Sequence, residues 1–446
     1  MTIASPPYLG QRLRQLELGQ QRKPRSTRSG SHGRRNVSQK CHDLCHAAAA
    51  KLTLPMRTPR YLLVVLGLTG VLSIAGAAQQ RPAPASVGNL TAEQDAAFDR
   101  GRQTFNRRYQ VADGLGPVFN DDSCNACHRG GTGSNDTVRR IGRVDSRGAY
   151  DPLIELGGSL LQSRGIGSTT TSAGTHTFTG ERVPATATLA VLRRAHAVQG
   201  LGFVDAVPDD TWQALAASQA AADPSTAGRV NMVINHSAGR LAVGKFGWKA
   251  QVASLVDFAA DALLNEMGIT NPIFRTEVCP QGDCRALDFN PVASLNDDGR
   301  AVDELNNFMT LLAAPARGAS SNAVVAGEQV FNQAGCAACH VATLRTGPST
   351  VAALNRVDFH PYSDYLLHDM DSLSDGVEQG TATGREMRTQ PLWGLRTATS
   401  FLHDGASLTI EDAIRRHDGQ GRASRDRFVA LDADRLAQLL AFLRSL

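Results

Sequence analysis

Two short strings in this chain put the residue types of metal and redox chemistry at one spacing, CNACH at 124–128 and CAACH at 336–340. With 8 cysteines and 12 histidines in 446 residues, chance would place roughly 0.004 CxxCH strings in the chain, so two of them are a strong signal. Two thiols on one helical turn reach the two vinyl groups of a haem as thioethers. The imidazole that follows then faces the iron as proximal ligand. Cys124, Cys127, Cys336 and Cys339 are therefore the expected anchors of two covalently bound c-type haems, and His128 and His340 the expected iron ligands. A zinc site would need two further ligands for each pair, and a redox dithiol would follow a strand in a βαβ pattern that the sequence lacks.

The other four cysteines read differently. CHDLCH at 41–46 has three residues between its cysteines and precedes an apolar segment, so it is not expected to hold a third haem. Cys279 and Cys284 in CPQGDC have no adjacent histidine, and a local disulfide around a Pro/Gly turn is the expectation in an oxidising compartment.

The elements that must position the haem strings recur with them. GEQVFNQAG precedes the second string, and GRQTFN precedes the first with a longer spacer. In both, an amphipathic helix with Gly101 and Phe105, or Gly327 and Phe331, on one face leads into the haem-bearing loop. Thr91 with Gln94 has capping-box spacing, and the final stretch DADRLAQLLAFLRSL puts Leu436, Leu439, Leu440 and Leu443 on one stripe. The expected fold is mainly α, with two cytochrome c-like haem domains at 92–315 and 316–446. The first carries a large irregular insertion, about 129–240, rich in Gly, Thr and Ser with short strands. AAPARGASS at 313–321 reads as the linker.

Composition excludes other classes. The chain is 42% hydrophobic and 20% charged, ordinary for a globular protein. Its formal charge of +4 comes from residues 1–55, which hold 10 Lys/Arg against 2 Asp/Glu and leave 36 against 40 for the rest. A nucleic-acid partner is therefore not expected. Residues 56–77, MRTPRYLLVVLGLTGVLSIAGA, have the order of a secretory signal peptide, with cleavage expected near Ala77 and an uncleaved membrane anchor as the alternative. Met56 is read as the true start and residues 1–55 as a spurious extension, or else a disordered basic leader. A periplasmic location follows.

DGLGPVFNDDSCNACH, GLGFVDAVP, GKFGWKAQVASL, EMGIT, PYSDYLLHDM, RTQPLWGL and FLHDGASLTIEDAIRRH run in this order over about residues 92–446. With these stretches the chain resembles the bacterial di-haem oxidoreductases, themselves similar to di-haem cytochrome c peroxidases. The resemblance implies that the N-terminal haem reacts with peroxide and the C-terminal haem stores and passes electrons. It implies a tryptophan between the haems at Trp248, seven residues before Leu255. It implies a proton-shuttling carboxylate at Glu266, followed by Met267, and a methionine sixth ligand for the second haem at Met387, four residues before Pro391. One departure stands out, because Phe258 occupies the position of a glutamine in those relatives.

The expected function is thus an exported di-haem oxidoreductase that reduces hydrogen peroxide, fed by a small exported cytochrome c or copper protein. Two rivals remain: a non-catalytic di-haem electron carrier, and an oxidase or oxygenase acting on a protein or polymer. The pocket over the first haem separates them, and His176, His196, His236 or Met232 could cap it. His368 and His403 lie in matching stretches and are expected to support the ligands rather than bind iron.

Overall fold

The computed structural model describes residues 84–171, 174–284, 292 and 294–446. The expected leader, the apolar segment 56–77 and the CHDLCH string lie outside them. No helix among the described residues is long and apolar enough to cross a membrane.

Helix α1 (Ala92–Asn106) starts at the expected capping box: Thr91 Oγ1 accepts from the Gln94 amide at 3.2 Å, and the Thr91 amide donates to Gln94 Oε1 at 3.0 Å. Two of an α-helix's orphan amides are satisfied at once, which fixes where the helix begins. Helix α2 (Leu255–Met267) is capped by Ser254 and ends at Gly268, whose φ of +68° favours glycine. Helices α3 (Arg300–Leu311), α4 (Asn322–Gln333) and α5 (Ala433–Leu443) complete the frame.

The sequence repeat is also a repeat in space. Helix α1 crosses α3 so closely at Gly101 that a Cβ there would strike the Glu304 carbonyl and Phe308 Cβ. Helix α4 crosses α5 at Gly327, where a Cβ would strike the Gln438 carbonyl and Phe442 Cβ. One turn further on, Phe105 packs on Phe308 with ring centroids 4.7 Å apart, and Phe331 packs on Phe442 at 5.2 Å. Each crossing sits in its own apolar cluster, one built around Phe105 and Phe308 and the other around Phe331 and Phe442. On α5 the buried set is Leu439, Leu440, Phe442 and Leu443, with Leu436 only partly covered. Residues 313–321 run without helix or strand between α3 and α4, tied back through the Gly318 amide to the Ser445 carbonyl at 2.7 Å.

The fold is less helical than expected, with 36% helix and 17% strand. The strands concentrate in the stretch read as irregular. There β1 (Thr137–Val144) pairs antiparallel with β2 (Leu189–Arg194), from Thr137 opposite Arg194 to Gly142 opposite Leu189. The runs TVRRIGRV and LAVLRR alternate in burial, which is what a half-covered sheet selects. A hairpin follows from β3 (Asn231–Asn235) and β4 (Arg240–Gly244), and a short ladder joins β5 (Leu367–Asp369) to β6 (Glu386–Arg388). Cys279 and Cys284 form the expected disulfide.

Candidate functional site

The first haem string occupies a single helical turn, Cys124–Cys127, that ends at His128. The Nδ1 of His128 lies 2.6 Å from the His196 carbonyl. A carbonyl only accepts, so Nδ1 carries the proton and Nε2 is left with a lone pair for a metal. His340 repeats the arrangement, its Nδ1 donating to the Tyr362 carbonyl at 2.9 Å. Phe105 stands 6.5 Å from His128 and Phe331 6.3 Å from His340, so both imidazoles are also held on one side by the repeat's phenylalanine. Burial lowers both histidines, His340 to about 4, and keeps them in the neutral form that ligates iron.

The donor set fits c-type haem. All four cysteines of the two strings are free thiols. Burial pushes Cys124 and Cys127 up to about 12 and Cys336 to about 11, the opposite of the depressed thiol that a redox dithiol needs. Among the described residues the one group compact enough to hold a metal ion is Cys339, Asp364 and His368, so Cys124 and Cys127 have no further ligands gathered for zinc.

Glu266 faces the first string. It is in the last turn of α2, and its carboxylate raises Cys127 electrostatically. Asn120 holds it twice, donating from Nδ2 to Oε2 at 2.7 Å and from its amide to the Glu266 carbonyl at 2.8 Å. Burial raises the Glu266 carboxyl above its ordinary range, although Arg140 and Asn120 pull the other way. Phe258, Ala262 and Glu266 lie at four-residue spacing on one half-exposed stripe of α2, while Leu255, Ala259, Leu263 and Met267 face the core. Phe258 stacks on Phe246 at 5.9 Å, so the position that departs from the relatives is apolar and packed.

Trp248 is 8% exposed, and its ring stands 4.4 Å from that of His196, the residue whose carbonyl orients His128. Its Nε1 donates to the Arg194 carbonyl at 3.1 Å, and its own carbonyl accepts from the Arg388 amide at 2.9 Å. Arg388 follows Met387. Trp248 therefore touches the surroundings of His128 with its ring and the strand of Met387 with its backbone.

Met387 is 7% exposed and sits opposite His368 in the β5–β6 ladder. His368 is committed elsewhere: Nε2 meets Asp364 Oδ2 at 2.9 Å, and Nδ1 lies 3.5 Å from Cys339 Sγ. Of this cross-strand pair only the thioether of Met387 has no such partner among the described residues. Of the four capping candidates, His196 lies on the His128 side beside Trp248. His176 is on the hairpin strand Gly174–Phe178, and Met232 is on β3 against the larger apolar cluster. His236 packs its ring on Phe274 at 5.0 Å and lowers Asp261 electrostatically, which brings it toward the Glu266 face of α2.

Several functional neighbours escape sequence reasoning. Asn120 lies inside a stretch that carries the family resemblance, DGLGPVFNDDS, but its bond to Glu266 spans 146 positions. Lys249, Arg193 and Asp375 form a buried ion cluster next to Trp248. Arg193 Nε is 2.6 Å and Lys249 Nζ 3.2 Å from the Asp375 carboxylate, and the Lys249 ammonium also donates to the carbonyls of Thr383, Gly384 and Glu386. A lysine beside a tryptophan gives no local hint of partners more than 100 residues away.

A family model agrees with the donor set. Residues 182–446, more than half the chain, match the family model described as "Di-haem oxidoreductase, putative peroxidase". No protein with a curated description matches. Among solved structures, hydrazine synthase of Kuenenia stuttgartiensis is 14% identical, with 87% of this chain and 100% of that one covered and a TM-score of 0.38. A MauG-like protein associated with microbial copper homeostasis is 14% identical over 83% and 95%, TM-score 0.37. The diheme peroxidase BthA of Burkholderia thailandensis is 15% identical over 79% and 86%, TM-score 0.37.

Proposed function

This chain belongs to the di-haem oxidoreductase family, and we propose that it is an exported enzyme that reduces hydrogen peroxide at its N-terminal haem with electrons relayed through the C-terminal one. The haems would supply the iron that binds peroxide and the stored electrons that cleave it, held by thioethers at Cys124 and Cys127 with His128, and at Cys336 and Cys339 with His340 and the soft ligand Met387.

The protein's own part is proton handling, exclusion of water and positioning. Glu266, held by Asn120 and raised by burial, takes a proton from the incoming peroxide and returns it to the departing oxygen. That carboxylate, fixed by Asn120 and near enough to Cys127 to raise its thiol, is the observation that carries the reading. Phe258, stacked on Phe246, makes part of the same helix face apolar. Trp248 bridges the two halves. A small exported cytochrome c or copper protein in the periplasm is the proposed donor.

Phe258 favours a second reading, an oxidase or oxygenase acting on a protein or polymer, because it removes a polar group from the pocket. Spectra of the haem-loaded protein, oxidised and half-reduced, followed by peroxide with a reduced donor, test the proposal. One high-spin haem and stoichiometric loss of peroxide are expected. Two haems that stay low-spin throughout, with peroxide untouched, would leave an electron carrier instead.

A further inference from the structure

We propose that a cavity beside Trp248, walled by Leu189, Val191, Leu192, Asp375, His403 and Ala406, binds a small neutral phenol as a direct reductant. The inference rests on the bridging role proposed for Trp248.

The cavity is an open depression of about 590 Å³, large enough for a small aromatic molecule. Leu189, Val191 and Leu192 of β2 give it an apolar wall, and Leu192 is 39% exposed at its mouth. His403 lies on its lining and is 8% exposed. Among the described residues neither ring nitrogen of His403 has a hydrogen-bond partner. The ring is open to solvent at this lining, so a hydroxyl arriving there would take the place of water on it. The wall suits an aromatic ring and the histidine suits its O–H.

The same imidazole meets Trp248 edge to face, with centroids 6.2 Å apart and planes at 74°. Arg194 fixes the pair, since its carbonyl accepts from Trp248 Nε1 at 3.1 Å and its amide donates to the His403 carbonyl at 2.8 Å. Burial lowers His403, so its ring is a neutral acceptor. Asp375 is bound to Arg193 and Lys249, and Asp404 to Arg416. In each event the phenolic proton passes to His403 and one electron passes by way of Trp248 to the haem that peroxide would have oxidised. Two events balance one peroxide: H2O2 and 2 ArOH give 2 H2O and 2 phenoxyl radicals.

The test uses the di-haem protein and 4-methoxyphenol. Saturation-transfer NMR should show the phenol bound to the wild type and no longer bound to Leu192→Trp, which fills the mouth. No saturation transfer in the wild type would overturn the site whatever the peroxidase activity. In peroxide consumption, His403→Gln should lower kcat/KM for 4-methoxyphenol at least tenfold more than for ferrocyanide, an anionic donor that needs no cavity. Equal losses with both donors would overturn the hand-over to Trp248. If the phenol binds and Leu192→Trp abolishes binding while neither donor drives peroxide loss, the binding site stands and the peroxidase reading falls.

Discussion

Replacing Asp375 by Asn tests whether the buried ion cluster holds the halves of the site together. The side chains of Asp375, Lys249 and Arg193 are 0%, 0% and 3% exposed, so the substitution leaves two buried cations without their anion. Breaking a buried pair on one side costs about 3–5 kcal/mol. A second route gives a similar figure. Burial alone would raise Asp375, but Arg193 and Lys249 outweigh it and hold the carboxyl at about 2 against an ordinary 3.8. At about 1.4 kcal/mol per pH unit, that difference is worth roughly 2–3 kcal/mol. Because the folded value is depressed, this stability is fully present above about pH 4 and is lost as pH falls toward 2. Urea unfolding of the di-haem protein at pH 7, followed by circular dichroism, should show a loss of about 3 kcal/mol or more. Asp404→Asn breaks the half-exposed pair with Arg416 and should lose about 1 kcal/mol or less. Adding Lys249→Met to Asp375→Asn removes one stranded cation, so the double variant should lose less than the sum of the singles. Lys249 holds the carbonyls of Thr383, Gly384 and Glu386, just before Met387, so the visible spectrum of the second haem should change as well. An Asp375→Asn protein within about 1 kcal/mol of the wild type would refute the reasoning.

Met387→Leu should alter the ligand field of one haem only and lower its reduction potential, read by visible spectra and redox titration; an unchanged spectrum removes the ligand assignment. Glu266→Gln should cut peroxide turnover by about 10²–10⁴ and abolish an acid limb of the rate profile lying above the ordinary glutamate range. A raised carboxyl costs stability once pH exceeds its unfolded value, so this variant should be no less stable than the wild type at pH 7, and a matching fall in stability would count against a proton-shuttle role. Gly327→Ala should cost about 1–3 kcal/mol by forcing α4 off the Gln438 carbonyl, measured by the same unfolding experiment.

The parts of the fold that were legible in the sequence are those set by local rules. The capping box at Thr91, the glycine and phenylalanine of each haem-entry helix, the CxxCH turns and the short disulfide all depend on residues within a few positions of one another. The sheet in the insertion was underestimated because glycine and threonine between short apolar runs read as loop, while β1 and β2 pair across an intervening 44 residues that local periodicity cannot bridge. At the site, Glu266 and Met387 came from family resemblance, and the structure adds the neighbours that make each position intelligible. Asn120 fixes the carboxylate of Glu266. Asp364 engages His368 and so separates its role from that of Met387. Such partners are chosen by the fold, and no spacing rule reaches them.

Two adjacent residues, Trp248 and Lys249, explain how one chain could make two haem sites act as one. The Trp248 ring lies on His196, whose carbonyl sets the orientation of His128, and the Lys249 ammonium gathers the carbonyls that lead into Met387. The Trp248 carbonyl is bound by the Arg388 amide and the Gly247 carbonyl by Arg388 Nε at 2.7 Å, so the segment is pinned on both sides of the tryptophan. A shift of the Met387 strand cannot occur without straining these bonds, and through them the ring that contacts His196. Side-chain packing alone would allow slippage, because apolar contacts have no fixed direction. Hydrogen bonds from a buried ammonium and a guanidinium to carbonyls are directional and costly to leave unmade. The cluster therefore converts a long-range arrangement into a rigid one, which the bridging role proposed for Trp248 would require.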